Sequence, residues 1–390
     1  MTRDVAPTPG PEIEPLAISS ITAHILSAPI AQPVRTAFGT MSARPAVFLC
    51  LRDRDGAEGW GEVWCNFPAC GARHRGHLVH ELLAPLVTGL TIRQPAATSA
   101  WLAQRLRVLA IQTGETGPID QMLAGFDTAL WDLAARRAGQ PLAHFLGASR
   151  EAVPVYASGI NPDGALETVQ HAEQAGHDAF KLKIGFDPTR DRANVAALRE
   201  HLGADRALMV DANQAWDVPT ALAQADWLNA FGLAWLEEPV AADTEPAAWQ
   251  KLREAIQVPL AAGENMRGLP AFQEAIAGGA LGVIQPDLAK WGGVSGILAV
   301  AARGRAQGLS FCPHYLGGGI GLAATAHVLA AAGGDGRLEV DVNPNPLRTG
   351  PLEGWDAIRA GRLGLPDAAG IGVAPARIRE VVARYDTNLD

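Results

Sequence analysis

Apolar and polar positions alternate over residues 18–27, which predicts a strand. Proline and glycine punctuate residues 29–45, and that stretch reads as a loop. Two further apolar or alternating runs, 46–52 and 59–63, are split by a turn signal at Asp53–Gly56, the pattern of a hairpin. From about residue 77 to 147 the period becomes helical. It is clearest over 118–138, where Ile119, Met122, Leu123, Phe126, Ala129, Leu130 and Leu133 recur on one face. Strands first and helices afterwards describe a small α+β unit. Residues 1–18, rich in Pro, Ala and Glu, read as a flexible tail.

After residue 147 the texture changes to short apolar runs alternating with helical ones. The strand candidates are 153–157, 179–184, 207–211, 233–236, 260–263, 282–285, 309–313 and 337–340. Helical patterns such as 189–202, 218–231, 247–256, 269–277 and 293–307 lie between them. Eight strands at roughly 25-residue spacing suggest a closed parallel barrel rather than an open sheet. From residue 348 onward, turns and two short strands are expected to return to the first unit.

In such barrels the chemistry gathers where strands end and loops begin. The strand ends here carry Lys181 and Lys183, then Asp211 and Asn213, then Glu237 and Glu238, then Glu264, then Asp287 with Lys290 close by, then His314, and finally Glu339 and Asp341. Asp211, Glu237 and Glu264 fall on three successive strands. Each alone could cap the next helix; together they converge like charges, which is costly without a cation. Hard oxygen ligands select Mg²⁺. Lys181 and Lys183 share one face of their strand, and their mutual repulsion would lower the pKa of one, as a general base requires. Asp287 could orient the His314 ring for proton transfer, with His314 across the barrel mouth from Lys183. Glu238 alternates with Glu237 and is expected to face outward. The run Gly317–Gly321 lacks the context of a dinucleotide fingerprint; its glycines would let backbone approach a substrate or the first unit.

Composition narrows the class. The chain has 390 residues, 48% hydrophobic and 19% charged, with net charge -9. That balance can bury a large core and argues against a nucleic-acid partner. The four cysteines form no C-x-x-C pair, and their scarcity fits a reducing compartment. No signal-peptide pattern and no uninterrupted apolar run long enough to span a bilayer is read, so a cytoplasmic protein without a membrane partner is expected.

Taken jointly, Lys181-Leu182-Lys183, Asp211-Ala212-Asn213, Leu236-Glu237-Glu238-Pro239, Gly263-Glu264-Asn265, Gln285-Pro286-Asp287 with Gly292-Gly293, His314 and Glu339 resemble the enolase superfamily, and within it the mandelate racemase subgroup of the mandelate racemase/muconate lactonizing enzyme family. The resemblance covers nearly the whole chain. The muconate lactonizing subgroup would place a lysine where Asp287 stands. What the resemblance implies is an α/β fold: a modified (β/α)7β TIM-like barrel over 148–345, an α+β N-terminal capping domain over 19–147, and a C-terminal segment, 346–390, returning to the cap. It implies one Mg²⁺ per subunit on Asp211, Glu237 and Glu264. Lys181 and the metal would hold a substrate carboxylate and Glu339 would hydrogen-bond it. Lys183 and the His314–Asp287 dyad would move protons on opposite faces. Asn213, Tyr315, Asn66 and Arg73 are candidate substrate contacts, the last two on a capping segment, 64–75, that suits a polar or diacid substrate. A homo-oligomer acting on a small-molecule carboxylate is expected. The leading activity is dehydration of an acid sugar or hydroxy-diacid. A racemase, an epimerase or a sugar-acid lactone cycloisomerase uses the same site, and the Asn-Pro-Asn-Pro-Leu-Arg stretch at 343–348 resembles the last. A ligand-binding barrel without catalysis would show a lost base or metal ligand, and none is lost.

Overall fold

The computed structural model describes residues 12–36, 39–355 and 357–387. The first sheet has four strands, β1 (Leu16–Thr36), β2 (Gly39–Asp53), β3 (Glu58–Val63) and β4 (Thr91–Ile92), ordered β3-β2-β1-β4. β1 and β2 pair antiparallel from Ile18↔Asp53 to Thr36↔Gly39. The stretch 29–45, expected as a loop, is therefore largely ladder. Its register slips between Pro29 and Val34, where proline has no N–H to donate.

The expected tail is also corrected. Residues 1–11 lie outside the described residues, but Ile13 donates its N–H to the Arg93 carbonyl at 3.0 Å, and Ile13, Leu16 and Ile18 are buried. Leu16→Ala is expected to destabilise the protein by about 2–5 kcal/mol through the cavity it leaves. Urea unfolding measures this; a loss within about 0.5 kcal/mol, the range of ordinary surface changes, would show that the strand start carries no weight.

The helix Thr116–Arg137 lies across this sheet, and all seven of the apolar positions named above are buried in it. β3 comes so close that a Cβ on Gly61 would lie 2.0 Å from the Gly125 carbonyl oxygen, so the approach requires glycine.

The barrel strands are β5 (Ala152–Ile160), β6 (Phe180–Lys183), β7 (Leu208–Asp211), β8 (Leu236–Glu237), β9 (Leu260–Ala262), β10 (Leu281–Ile284), β11 (Ser310–Phe311) and β12 (Leu338–Asp341). β5 to β11 follow one another in chain order, all parallel, and β12 pairs parallel with β5. The Arg337 N–H reaches Cys312 Sγ at 3.4 Å between the two ends. Tyr156, Met209, Trp235, Ala261, Val283 and Cys312 fill the interior. Phe180, Leu182, Val210, Leu236 and Ile284 face the helices, which turns Lys181 and Lys183 inward. The helical pattern 218–231 is two short helices, Val218–Ala223 and Ala225–Asn229.

The C-terminal segment only partly returns to the cap. Its two strands, β13 (Ile358–Arg359) and β14 (Arg362–Gly364), form a hairpin, and β14 pairs antiparallel with β5 of the barrel. The rest of the segment reaches the first unit: the helix Pro346–Thr349 packs on β1 and β2, Asp132 accepts the Ile371 N–H at 2.7 Å, and after the helix Pro375–Tyr385 Thr387 donates its N–H to Ile25 at 2.8 Å. Among the described residues no helix is long and apolar enough to cross a membrane.

Candidate active site

Lys181 is 1% exposed and lies among three carboxylates: Glu237 at 2.5 Å, Glu339 at 2.9 Å and Asp211 at 3.6 Å. Its ammonium stands 5.4 Å from the centre of the Tyr156 ring. Burial pulls its pKa down, but the acids, Glu237 foremost, hold it well above the usual lysine value. Lys183 donates to Asp211 at 2.5 Å and to Asn213 at 3.0 Å. Its pKa is raised too: burial lowers it, Asp211 more than offsets that, and repulsion from Lys181 is a lesser effect. The expected lowering by mutual repulsion is thus overturned, because each lysine has an acid in direct contact.

Glu237 accepts from Trp235 at 3.1 Å and from Gln285 at 2.6 Å. Burial, and then the neighbouring Asp211, push its pKa up to about 7. Glu238 does not face outward. Its backbone turns left-handed (φ 37), and the buried carboxylate accepts from Asn265 at 2.9 Å. The strand ends at Glu237, so simple alternation stops applying there. Burial, Glu264 and Asp211 raise Glu238 to about 8. Glu264 accepts from Lys290 at 2.9 Å and lies 3.0 Å from His314 Nε2. Burial would raise its pKa, but His314 and Lys290 hold it well below the usual range.

Buried carboxylate oxygens gathered at one place are the donors that a hard divalent cation takes, so Asp211, Glu237 and Glu264 fit Mg²⁺ in kind. Among the described residues no three such side chains converge into a ready-made cage; the ammonium groups of Lys181 and Lys183 stand between them.

The dyad is assembled as expected. His314 Nδ1 lies 2.7 Å from Asp287 Oδ2, and the Asp287 Oδ1 accepts the N–H groups of Ala289 and Lys290 at 2.7 and 3.1 Å. His314 Nε2 faces Glu264 at 3.0 Å and Glu339 at 3.6 Å. With carboxylates at both nitrogens the ring is a double donor, hence charged. Burial opposes that charge, yet Glu264 and Glu339 push the pKa up to about 10. Glu339 accepts from Ser158 Oγ and, at 3.2 Å, from the Tyr315 N–H. Burial would raise it, but Lys181 and His314 bring its carboxyl down to about 2.

This geometry sets a pH dependence for chelator-treated protein. An unfolded histidine titrates near 6.5 and folded His314 near 10. Between those values the folded state holds the extra proton, so His314 stabilises the fold fully below pH about 6.5 and loses that contribution as pH rises toward 10. Melting temperature is expected to fall across that window, and less steeply in His314→Asn. Equal slopes in the two proteins would refute the assignment.

Above these groups lies a cavity of about 730 Å³, its open mouth included. Lys183, Asn213, Glu264, Lys290, His314 and Glu339 line it from the barrel, and Val34, Trp64, Asn66 and Phe67 from the cap. Asn66 donates to the Leu316 carbonyl at 2.7 Å, and Trp64 lies against the Lys290 ammonium at 5.2 Å. Lys181 is beneath this wall rather than in it. Arg73 is exposed on the helix Gly71–Leu78 and does not line the cavity. Nor does the Tyr315 ring, which is buried beside Glu62; only its backbone serves the site. Ser158, Asn161 and Asn343 also line the cavity, unforeseen. Reading the ends of β5 and β12 a few residues further would have found them. Arg44, on β2 of the cap, is buried and donates to Asp341 at 2.8 Å.

Known proteins resemble this chain in sequence and fold. Residues 20–147 match the mandelate racemase / muconate lactonizing enzyme N-terminal domain, and residues 165–379 match the enolase C-terminal domain-like model. The chain is 32% identical over 374 residues to D-galactarolactone cycloisomerase of Agrobacterium fabrum, spanning 91% of this chain and 96% of that one. It is 32% identical over 329 residues to L-talarate/galactarate dehydratase of Salmonella typhimurium, spanning 83% and 78%. A crystal structure described as a mandelate racemase/muconate lactonizing enzyme from Bordetella bronchiseptica RB50 superposes with a TM-score of 0.88 at 50% identity, over 94% of this chain and 100% of that one. An enolase from Bradyrhizobium complexed with magnesium and mandelic acid superposes with a TM-score of 0.83 at 30% identity, over 96% and 99%.

Proposed function

The chain belongs to the mandelate racemase/muconate lactonizing enzyme family of the enolase superfamily, and on that footing we propose that it abstracts the proton α to the carboxylate of an acid sugar with the help of one Mg²⁺. Its named relatives are dehydratases and cycloisomerases, and the chain is an enzyme of the lyase or isomerase kind. The observation that carries the reading is one cavity lined by both Lys183 and His314, with His314 held by Asp287.

Asp211, Glu237 and Glu264 would hold the Mg²⁺, which as a Lewis acid would stabilise the charge that develops on the substrate carboxylate. Lys181 contributes from beneath, keeping Glu237 and Glu339 neutralised without touching substrate. Lys183 is held charged chiefly by Asp211 and becomes a base only as Asp211 turns from it. Glu339, held ionised, accepts a hydrogen bond from a substrate hydroxyl or protonated carboxyl oxygen. Asn213 and Asn66 are polar contacts for the rest of the chain of hydroxyls. Arg73, away from the cavity, is no counter-ion for a second carboxylate.

For dehydration, Lys183 takes the α-proton, the β-carbon–oxygen bond breaks, and the His314 imidazolium supplies the proton with which the hydroxyl leaves as water. The resulting enol becomes a 2-keto acid. A second reading, lactone cycloisomerisation, is favoured by the similarity to the galactarolactone enzyme over nearly both full lengths. The test is a library of aldonates, aldarates and their lactones with Mg²⁺ in D₂O. Keto-acid formation supports dehydration, and lactone consumption without keto acid supports cycloisomerisation. If no acid or lactone exchanges its α-proton, the carbon-acid reading is wrong.

A further inference from the structure

Glu62 ends in a buried carboxylate on β3 of the cap, 3% exposed, and its oxygens accept the N–H groups of Gly318 and, at 3.0 Å, Gly321. Those donors open the helix Gly319–Ala332, which has no acid in its own first turn and no side-chain cap. The first N–H groups of a helix have no internal partner and attract negative charge. The cap supplies the acceptor from a different part of the chain; burial pushes the Glu62 carboxyl up to about 7, and the Gly321 and Gly318 N–H groups work against that rise. Space is made for it by the Gly317–Gly321 run: a Cβ on Gly318 would lie 2.8 Å from a Glu62 oxygen, and one on Gly321 would lie 2.1 Å from the Tyr315 phenol oxygen.

The clamped segment begins at His314. Its next residue, Tyr315, gives its backbone N–H to Glu339, and Leu316 takes a bond from Asn66 of the cap. A parallel clamp holds the other half of the dyad. Asp127, on the cap helix, accepts the Ser295 N–H at 2.9 Å and the Ser295 hydroxyl at 2.7 Å. Ser295 lies in the first turn of the helix Gly293–Ala306, just past Asp287, and that helix also lacks an acid in its first turn. By contrast, the loop after Lys183 is tied down from within the barrel: Gly185 and Phe186 donate to Asp191 at 2.7 and 3.2 Å.

We propose that Glu62 is a positioning residue through which the cap sets the His314–Asp287 dyad, while Lys183 is set by the barrel alone. The proposal rests on the two-base reading given above and adds an asymmetry to it. Disturbing the cap carboxylate impairs proton transfer on the His314 face and spares the Lys183 face.

Galactarate and L-talarate differ in configuration at one α-carbon and so present that proton to opposite faces. Exchange of each α-proton in D₂O is measured on the Mg²⁺-loaded full chain. Control variants His314→Asn and Lys183→Ala assign each acid to its base. In Glu62→Ala the ratio of His314-face to Lys183-face exchange is expected to fall about 10- to 100-fold, the effect of a small misplacement of a catalytic group. In Glu62→Gln, which keeps one acceptor oxygen, it falls less. If Glu62→Ala does not fold, the Gln variant decides. A loss that is equal on both faces, or an unchanged ratio, overturns the proposal. If neither control variant changes exchange on either face, the two-base reading fails first.

A substrate-free arm reads the same point. The downfield proton resonance of His314 Nδ1, identified by its loss in His314→Asn, is expected to shift or broaden in Glu62→Ala. An unmoved resonance counts against a positioning role whatever the substrate.

Discussion

Replacing His314 with Asn is expected to lower turnover by about 10²–10⁴-fold, the usual weight of a general acid–base group. The fold should survive, because Asn can still donate toward Asp287. His314 is charged in the structure, with its pKa pushed up to about 10, so its natural first task is to give a proton. Asn cannot give one. Lys183→Ala should lose comparable turnover by removing the other group. The two losses should differ in kind. Each variant is expected to retain α-proton exchange with acids that present their proton to the surviving base. Steady-state rates and deuterium incorporation separate these effects. If both variants keep more than about a tenth of the wild-type turnover, neither group is doing acid–base work of ordinary size.

The second large effect is on stability. Lys181→Met is expected to destabilise chelator-treated protein by about 3–5 kcal/mol, the range for breaking one side of a buried ion pair. Lys181 is fully enclosed and contacts Glu237, Glu339 and Asp211. Without its charge those acids are left buried together, and Glu237 is already raised to about 7 with Lys181 in place. Methionine keeps most of the volume, so the loss would report charge rather than packing. Added Mg²⁺ should recover part of it, since an ion that binds only the folded state stabilises by mass action. Urea unfolding with and without Mg²⁺ gives both numbers. A loss below about 1 kcal/mol, the level of an exposed ion pair, would mean that the acids rearrange freely and that the cluster is not the rigid base of the site.

Much of this is legible in the sequence. Each of the eight barrel strands overlaps a run picked out by apolar pattern, because a buried parallel strand must be apolar on both faces. The strand-end rule then located Asp211, Glu237, Glu264, Asp287, His314 and Glu339 without tertiary information, since a barrel delivers every strand end to the same rim. It failed where a strand end was misjudged. Glu238 was expected to face outward, yet a left-handed backbone turn swings it inward. Ser158 and Asn161 escape the strand-end rule because β5 runs to Ile160, past the end of its apolar run.

The opening of the chain shows the complementary weakness. Pro29 and Pro33 suggested a loop, and Ile13 and Leu16 among prolines and acids suggested a tail. Local composition favours both, and pairing between distant strands overrides it.

The sequence by itself determined the barrel, the cap's order of strands before helices, and which acids, lysines and histidine meet at one rim. Those follow from periodicity, which is a local property. Tertiary structure alone decided how the groups affect one another. It put Asp211 in direct contact with Lys183 and so kept that lysine charged. It left Arg73 in solvent and turned the Tyr315 ring toward Glu62. It also brought two cap carboxylates, Glu62 and Asp127, onto the helices that follow the dyad. Contacts such as Glu62 to Gly318, 256 residues apart in the chain, leave no periodic trace. Their strength depends on distance and burial, and only the folded chain fixes those.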